Sequence, residues 1–182
     1  MKIAKIIATS FYPRVVREET ILGGNPPVYS LHSQNFTNFE DIKKLILLNI
    51  QKENECDPGL PVDLVFVNNN VGSSAGNKFI DTLDNMKLKN GKIIVIQNEN
   101  IGWSYGAFSR GFKELKDLYD FFIFTEDDVI VAKSNYAKIS LDTFNSNKNC
   151  GFVSYWGISH IHEKISKYDY IHAHGASGFT SK

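Results

Sequence analysis

Four short runs of the chain are apolar almost throughout, and amphipathic helical patterns lie between them. The runs are Ile3 to Ala8, Val62 to Val67, Lys92 to Ile96 and Phe121 to Phe124. Strands that are apolar on both faces are typical of parallel sheets covered by helices on both sides. The pattern therefore predicts an α/β fold with a mainly parallel sheet sandwiched by helices and mixed at its C-terminal end.

The remaining predicted elements come from helical periodicity, caps and turn residues. The first helix has Thr37 and Glu40 at the spacing of a capping box. Glycines and prolines mark a long loop from Tyr12 to Thr37. The other expected elements are helices at about Asn38 to Cys56, Ala75 to Met86 and Ser104 to Tyr119, a helix capped by Ser134, and strands at Gly151 to Tyr155 and near Tyr170 to Ala173.

The composition of the 182 residues favours one globular domain. Hydrophobic residues make up 42% and aromatic residues 13%, which excludes a disordered tail or a coiled coil. The 20 basic and 20 acidic residues balance, so no extended basic surface is available for nucleic acid. The expectation is a single domain over residues 1–182, C-terminally short or truncated.

Cysteine usage and hydropathy predict a cytoplasmic location. Cys56 and Cys150 form no metal or redox pattern, and the start MKIAKII has too short an apolar run for a secretory signal. No apolar run approaches the ~18 residues of a transmembrane helix. Peripheral association with the inner membrane surface stays open.

Three consecutive acids, Glu126, Asp127 and Asp128, follow the strand in the sequence FFIFTEDDVIV. Carboxylates ~4 Å apart repel one another by roughly 1 to 4 kcal/mol per pair, and a divalent cation offsets that repulsion. The alternative is a solvated turn between two short strands. Such turns are usually marked by Gly, Pro or Asn, which this segment lacks.

Polar residues follow each of the four predicted strands. In open α/β sheets, ligands bind in the crevice beyond the carboxyl ends of the strands. The segments expected to meet there are Thr9 and Ser10, Asn68 to Asn70, Gln97 to Asn100, and Glu126 to Asp128. Their convergence predicts a ligand site at that edge.

The order of these motifs resembles the nucleotide-sugar-dependent glycosyltransferases of the GT-A fold, particularly family 2, from about Ile3 to Phe179. That family shows Asn-x-Gly, then Ala-x-Asn-x-Gly, then a strand ending in an Asp-x-Asp signature. Here Asn100 and Gly102 are followed by Ala107 to Gly111 and then by FFIFTEDDV. The resemblance implies a Rossmann-like GT-A fold and transfer of a sugar from a nucleotide-diphosphate donor to a hydroxyl acceptor, in the synthesis of a surface polysaccharide or glycolipid.

The resemblance also implies roles for individual residues. Asp128 would bind Mn²⁺ or Mg²⁺, and Glu126 and Asp127 would orient the ribose and the metal's water shell. The remaining donor-binding candidates are Thr9, Ser10, Phe11, Asn68, Asn69, Asn70, Asn100, Gly102 and Arg110. The acid that usually reads uracil is replaced by asparagine at 68 to 70, and Arg110 is either a diphosphate or base contact or a solvent-facing helix residue.

The C-terminal stretch carries two His-x-His pairs and a run of small residues. The pairs are His160 with His162 and His172 with His174. A zinc site would need at least three protein ligands, so His172 or His174 facing the sugar pocket is the preferred interpretation. By the resemblance, His174, Gly175, Ala176 and Ser177 would line the pocket for sugar and acceptor, although an ordinary turn explains the small residues equally well.

The general base that inverting members use follows this loop in the family, and the sequence stops at Lys182. Glu163 and Asp169 are the nearest acids and lack the expected context. A second hypothesis is therefore a non-catalytic nucleotide- or sugar-binding domain that keeps the fold. A third, a nucleotidyltransferase, would carry a Gly- and Lys-rich loop after the first strand, and ATSFYPRVVRE lacks glycine.

Overall fold

A seven-stranded sheet lies at the centre of the computed structural model, which describes residues 1–12, 38–155 and 177–182. The strands, in chain order, are β1 Ile3–Thr9, β2 Val62–Asn70, β3 Lys87–Leu88, β4 Gly91–Glu99, β5 Phe121–Glu126, β6 Val153–Ser154 and β7 Gly178–Ser181. The helices of the described residues are α1 Phe39–Glu55, α2 Ser74–Asp81, α3 Trp103–Leu115 and α4 Tyr136–Ser146. The order of strands across the sheet is β3-β4-β2-β1-β5-β7-β6.

The four central strands, β4, β2, β1 and β5, are parallel to one another. β7 pairs antiparallel with both β5 and β6, and β3 pairs antiparallel with β4. The predicted α/β class, with a sheet mixed at its C-terminal end, is confirmed. The sheet is also mixed at its other edge, where β3 is too short to produce a periodic pattern in the sequence.

Both faces of the central strands are buried, which explains their continuous apolar runs. Ile7 and Phe66 belong to a core cluster with the buried residues of α1 and α2. Ile6 and Val67, on the opposite face because strand residues alternate, pack with Ala107 and other residues of α3. A third cluster joins the ends of β1 and β2 to β5, β7 and α4.

Several element ends differ from the sequence-based expectation. The N-cap of α1 is Asn38, whose side chain accepts a hydrogen bond from the Asp41 amide at 3.1 Å. The predicted Ser134 cap is wrong: α4 follows Asn135, which has a φ of 62°, a conformation that asparagine tolerates better than most residues. The Asn135 amide donates to the Asp57 carbonyl at 2.6 Å, which holds that conformation.

Two further differences concern strands. β2 and β4 continue through their terminal polar residues, because Asn68 to Asn70 pair in register with Gln97 to Glu99. Cross-strand pairing thus overrides the weak strand propensity of asparagine. β7 is not among the strands predicted from the sequence, and the predicted strand near Tyr170 to Ala173 lies outside the described residues. In the described part of the chain, no helix is long and apolar enough to cross a bilayer.

Lys5 interrupts the apolar run of β1 and is buried, with 2% of its surface exposed. Its ammonium group forms an ion pair with Glu53 of α1, which is 5% exposed. The second Glu53 oxygen accepts a hydrogen bond from the Tyr136 hydroxyl at 2.8 Å, and Lys5 Nζ lies 5.4 Å from the centre of the Tyr136 ring. This buried polar group connects β1, α1 and α4.

The tyrosines of this region should make the protein less stable at high pH. Burial raises the pKa of Tyr136 and of Tyr155, and the nearby Glu53 carboxylate raises both further. In the unfolded chain tyrosine ionises near pH 10, so above that pH the unfolded state binds fewer protons than the folded state. The stabilisation is fully present below about pH 10 and is lost above it, at about 1.4 kcal/mol per pH unit for each tyrosine.

Urea unfolding between about pH 9 and 11.5 measures this effect. Tyr155→Phe removes one titrating group, so its stability should fall less steeply with pH, by about 1.4 kcal/mol per pH unit. The comparison of slopes is independent of the hydrogen bond between Tyr155 and Ser140 (2.8 Å) that the substitution also removes. Parallel stability curves for the two proteins would show that Tyr155 ionises normally in the folded state.

Candidate functional site

The chain reverses its direction across the sheet between β1 and β5. It passes from β1 to β2 and β4 on one side, then crosses through α3 to β5 on the other side of β1. Such a reversal opens a crevice at the carboxyl ends of the strands, where α/β proteins bind ligands. Thr9 ends β1 and Glu126 ends β5, so the polar residue groups predicted from these two strands meet at this crevice.

Asp127, the middle acid, is fully buried and holds the turn after β5 in place. One carboxylate oxygen accepts a hydrogen bond from the Thr9 hydroxyl at 2.7 Å, and the Asp127 amide donates to the Ala8 carbonyl at 3.1 Å. The side-chain amide of Asn49, on α1, donates to the Asp127 carbonyl at 2.6 Å. Because Asp127 is buried, its carboxylate does not reach the surface at which the predicted contact with ribose would be made.

Glu126 and Asp128 remain partly exposed on either side of Asp127. Glu126 accepts a hydrogen bond from the Ser104 hydroxyl, in the first turn of α3. The Val129 amide donates to the Glu126 carbonyl at 3.1 Å and closes the turn that contains Asp128. Both acids that flank Asp127 are therefore partly accessible at the end of β5.

This pair of carboxylates fits a hard cation shared with a ligand. Mg²⁺ is usually held by one or two carboxylates together with substrate phosphates, and it keeps several water molecules. Among the described residues no group of three or more histidines, cysteines or acids converges as a metal cage. Glu126 and Asp128 are the residues that would hold such a cation.

The ends of β2 and β4 carry a network of amide side chains. The Asn68 amide donates to both Asn77 and Gln97, at 2.8 Å each. The Asn98 amide donates to Asn69 at 2.7 Å. Asn68 and Asn69 are 0% and 4% exposed, so these predicted donor-binding residues are buried in hydrogen bonds between the strand ends and their neighbours.

Asn70, at the end of β2, is exposed. Its side-chain oxygen accepts hydrogen bonds from the Gly72 amide at 2.9 Å and from Asn77 at 3.1 Å. The carbonyl-type oxygen is thus used within the turn. The amide group of Asn70 is the part of the three-asparagine run that remains available at the surface.

The turn between β4 and α3 has an unusual backbone. Gly102 and Trp103 both lie in the left-handed region, with φ of 79° and 54°. Such a conformation costs a non-glycine residue about 1–3 kcal/mol and persists when neighbours hold it. Here the Asn69 amide donates to the Trp103 carbonyl at 3.0 Å, and a Cβ on Gly106 would lie 1.8 Å from the Ile101 carbonyl oxygen.

Two other predicted residues, Phe11 and Arg110, have well-defined contacts. The Phe11 ring is 6% exposed and packs against Phe39 and Phe79, with ring centres 5.7 and 6.2 Å away. Any contact of Phe11 with a base would therefore come from its backbone. Arg110 is about half exposed and forms an ion pair with Glu114 one turn along α3. This arrangement corresponds to the solvent-facing helix residue of the two alternatives for Arg110.

Of the remaining predicted residues, some lie in the described ranges and others do not. Asn100 is exposed in the turn before α3, next to Gly102. Ser10, directly after β1, is partly buried. Ser177 is buried, and its carbonyl accepts a hydrogen bond from the Tyr155 amide at 3.2 Å. His174, Gly175 and Ala176, with His160, His162 and His172, lie outside the described residues.

Two residues of the site escaped prediction from the sequence. Ser104 gave no signal beyond its place at the start of a helix. Asn49 gave one, because it shares a helical face with Ile42, Leu45 and Ile46 and is the polar residue of that apolar stripe. A buried polar residue within an apolar stripe needs a hydrogen-bond partner, and here the partner is the acidic turn.

Comparison of the chain with protein-family models, with curated proteins and with solved structures found no match. The fold and the site define an α/β protein with a run of three acids at the point where its sheet reverses strand order, the position at which such proteins bind ligands.

Proposed function

We propose that the chain is a metal-dependent glycosyltransferase that moves a sugar from a nucleotide-diphosphate donor to a hydroxyl acceptor. The observation that carries the proposal is the pair of partly exposed carboxylates, Glu126 and Asp128, at the crevice between β1 and β5. A GT-A-type arrangement is supported by the parallel order β4-β2-β1-β5 with the acids directly after β5.

The chemistry of the donor accounts for the acids. A nucleoside diphosphate carries negative phosphates, which two carboxylates alone would repel. A bound Mn²⁺ or Mg²⁺ supplies positive charge that stabilises the departing diphosphate. Glu126 and Asp128 would hold the cation, and the Ser104 hydroxyl orients Glu126.

The Asn-x-Gly and Ala-x-x-x-Gly spacing now has a physical reason. Gly102 allows the left-handed turn that precedes α3. Ala107 and Gly111 are buried, and a Cβ on Gly111 would lie only 3.0 Å from the Ile6 side chain. Small residues at these positions let α3 pack closely on the sheet, which brings Ser104 to Glu126.

Calorimetric titration of the wild-type chain with UDP and with GDP, with and without Mn²⁺, tests the proposal. One of the nucleotides should bind at least ~10-fold more tightly with Mn²⁺, a difference of about 1.4 kcal/mol. If neither nucleotide binds with Mn²⁺ at millimolar concentration, the proposal fails.

Turnover separates the enzyme from a binding module. Nucleotide-sugar donors are incubated with the chain and Mn²⁺, and release of the free nucleotide is measured. Hydrolysis or transfer supports the glycosyltransferase. Metal-dependent binding without any release supports the second hypothesis, a non-catalytic nucleotide- or sugar-binding domain.

A further inference from the structure

Asn49 is a buried polar residue whose amide group contacts the acidic turn. It is 1% exposed, and its Nδ2 donates to the Asp127 carbonyl at 2.6 Å and to the Leu45 carbonyl at 3.3 Å. Its Oδ1 is buried and accepts no hydrogen bond in the described part of the chain. Buried polar atoms are normally paired, so an asparagine at this position leaves one oxygen unsatisfied. The same side chain supplies the amide that donates to Asp127.

The same face of α1 also holds the far end of the segment that contains Asp128. Glu53, one turn after Asn49, accepts a hydrogen bond from the Tyr136 hydroxyl at 2.8 Å, at the start of α4. The Asn135 amide donates to the Asp57 carbonyl, just beyond α1, at 2.6 Å. The connection from β5 to α4 is thus attached to the α1 region at both ends.

Thr9 and Asn49 hold Asp127 through different atoms. Thr9 of β1 holds its carboxylate, whereas Asn49 of α1 holds its main-chain carbonyl. The main-chain contact is the one that bears on Asp128, because the Asp127 carbonyl belongs to the peptide group that joins the two residues. A shift of that peptide would move the Asp128 carboxylate directly.

We infer that Asn49 is a positioning residue: its amide fixes the peptide between Asp127 and Asp128 and so sets where the Asp128 carboxylate meets a divalent cation. This inference rests on the proposed function for the identity of the ligand, a cation bound together with a nucleoside diphosphate. Groups that do not touch the metal but hold a metal ligand in place through hydrogen bonds typically contribute about 10- to 100-fold to metal affinity.

Three variants separate the hydrogen bond from general packing. Asn49→Leu keeps the volume and the helix but removes the donor. Asn49→Gln keeps an amide donor at the same position. Ile46→Val, on the same buried face of α1, removes a methylene group from the core and serves as the matched control for lost packing.

Two measurements are made on each variant. The first is Mn²⁺ affinity in the presence of the nucleotide that the wild type binds, by calorimetry. We expect a loss of about 10- to 100-fold for Asn49→Leu, and values within about threefold of wild type, well below that range, for Asn49→Gln and Ile46→Val. The second needs no ligand: hydrogen exchange of the Asp127 and Val129 amides, which donate to the Ala8 and Glu126 carbonyls, should be faster in Asn49→Leu only.

The outcomes are distinguishable. If the wild type binds nucleotide with Mn²⁺ and Asn49→Leu does so with unchanged affinity, the inference is overturned while the proposed function stands. Equal losses in Asn49→Leu and Ile46→Val would also overturn it, since packing would then be the cause. If the wild type shows no metal-dependent binding, the proposed function fails and the metal role of Asn49 fails with it, whatever the exchange rates.

Discussion

Asp128→Ala is expected to lower the affinity for the Mn²⁺ nucleotide complex by at least ~100-fold, about 3 kcal/mol. Asp128 is partly exposed and lies beside Glu126 at the crevice, where a carboxylate oxygen can reach a cation. Under the proposed function, Asp128→Ala would leave Glu126 as the single carboxylate to hold the cation at the diphosphate. The remaining affinity should depend little on Mn²⁺, because half of the protein's ligand set is gone.

Calorimetric titration with UDP and GDP, with and without Mn²⁺, measures the change. Asp117→Ala is the matched control, since Asp117 is an exposed acid beyond the C-terminal end of α3, away from the crevice. It should bind as the wild type does. Unchanged affinity and unchanged metal dependence in Asp128→Ala would show that the acids after β5 do not form the metal site.

Lys5→Met should destabilise the folded chain by about 3–5 kcal/mol, because it leaves the Glu53 carboxylate buried without its cation. Within the described part of the chain, the Tyr136 hydroxyl, at 2.8 Å, would then be the remaining hydrogen-bond donor to the Glu53 side chain. A loss of this size is a large part of the roughly 5–15 kcal/mol by which folded domains are stable. Unfolding in urea, followed by circular dichroism, measures it.

A double variant and a control locate the cause of that loss. Lys5→Met combined with Glu53→Leu removes the buried charge altogether and should recover much of the stability, although Tyr136 then lacks its acceptor. Lys2→Met changes an exposed lysine just before the same strand and should stay within about 0.5 kcal/mol of wild type. A Lys5→Met variant as stable as Lys2→Met would mean that Glu53 takes up a proton or reaches water at little cost.

The central strands could be predicted from the sequence because burial on both faces leaves a continuous apolar run. The place of the acids followed from the rule that polar strand ends meet at one edge. β3 and β7 could not be found in this way. β3 has two residues and β7 has four, too few to show an alternating pattern, and the strand conformation of β7 depends on pairing with β5.

The sequence alone does not show which of Glu126, Asp127 and Asp128 is buried and which are partly exposed. Within β5, period-two alternation places Thr125 and Glu126 on opposite faces, and Asp127 follows in the turn beyond the strand. That alternation was available, but it does not reveal which face is covered. The answer depends on Thr9 and Asn49, which are 118 and 78 residues away along the chain.

These separations bear on how the protein folds. β1 lies between β2 and β5 in the sheet, and the hydrogen bond from Thr9 to Asp127 closes a loop of 118 residues. Contacts of such long range form slowly, because the entropy of loop closure opposes them until β5 docks. An intermediate with β1, β2 and β4 in place would contain the hydrogen-bonded asparagines at the ends of β2 and β4 but would lack the acids at the end of β5. Under the proposed function, recovery of nucleotide binding during refolding would therefore report the docking of β5 on β1.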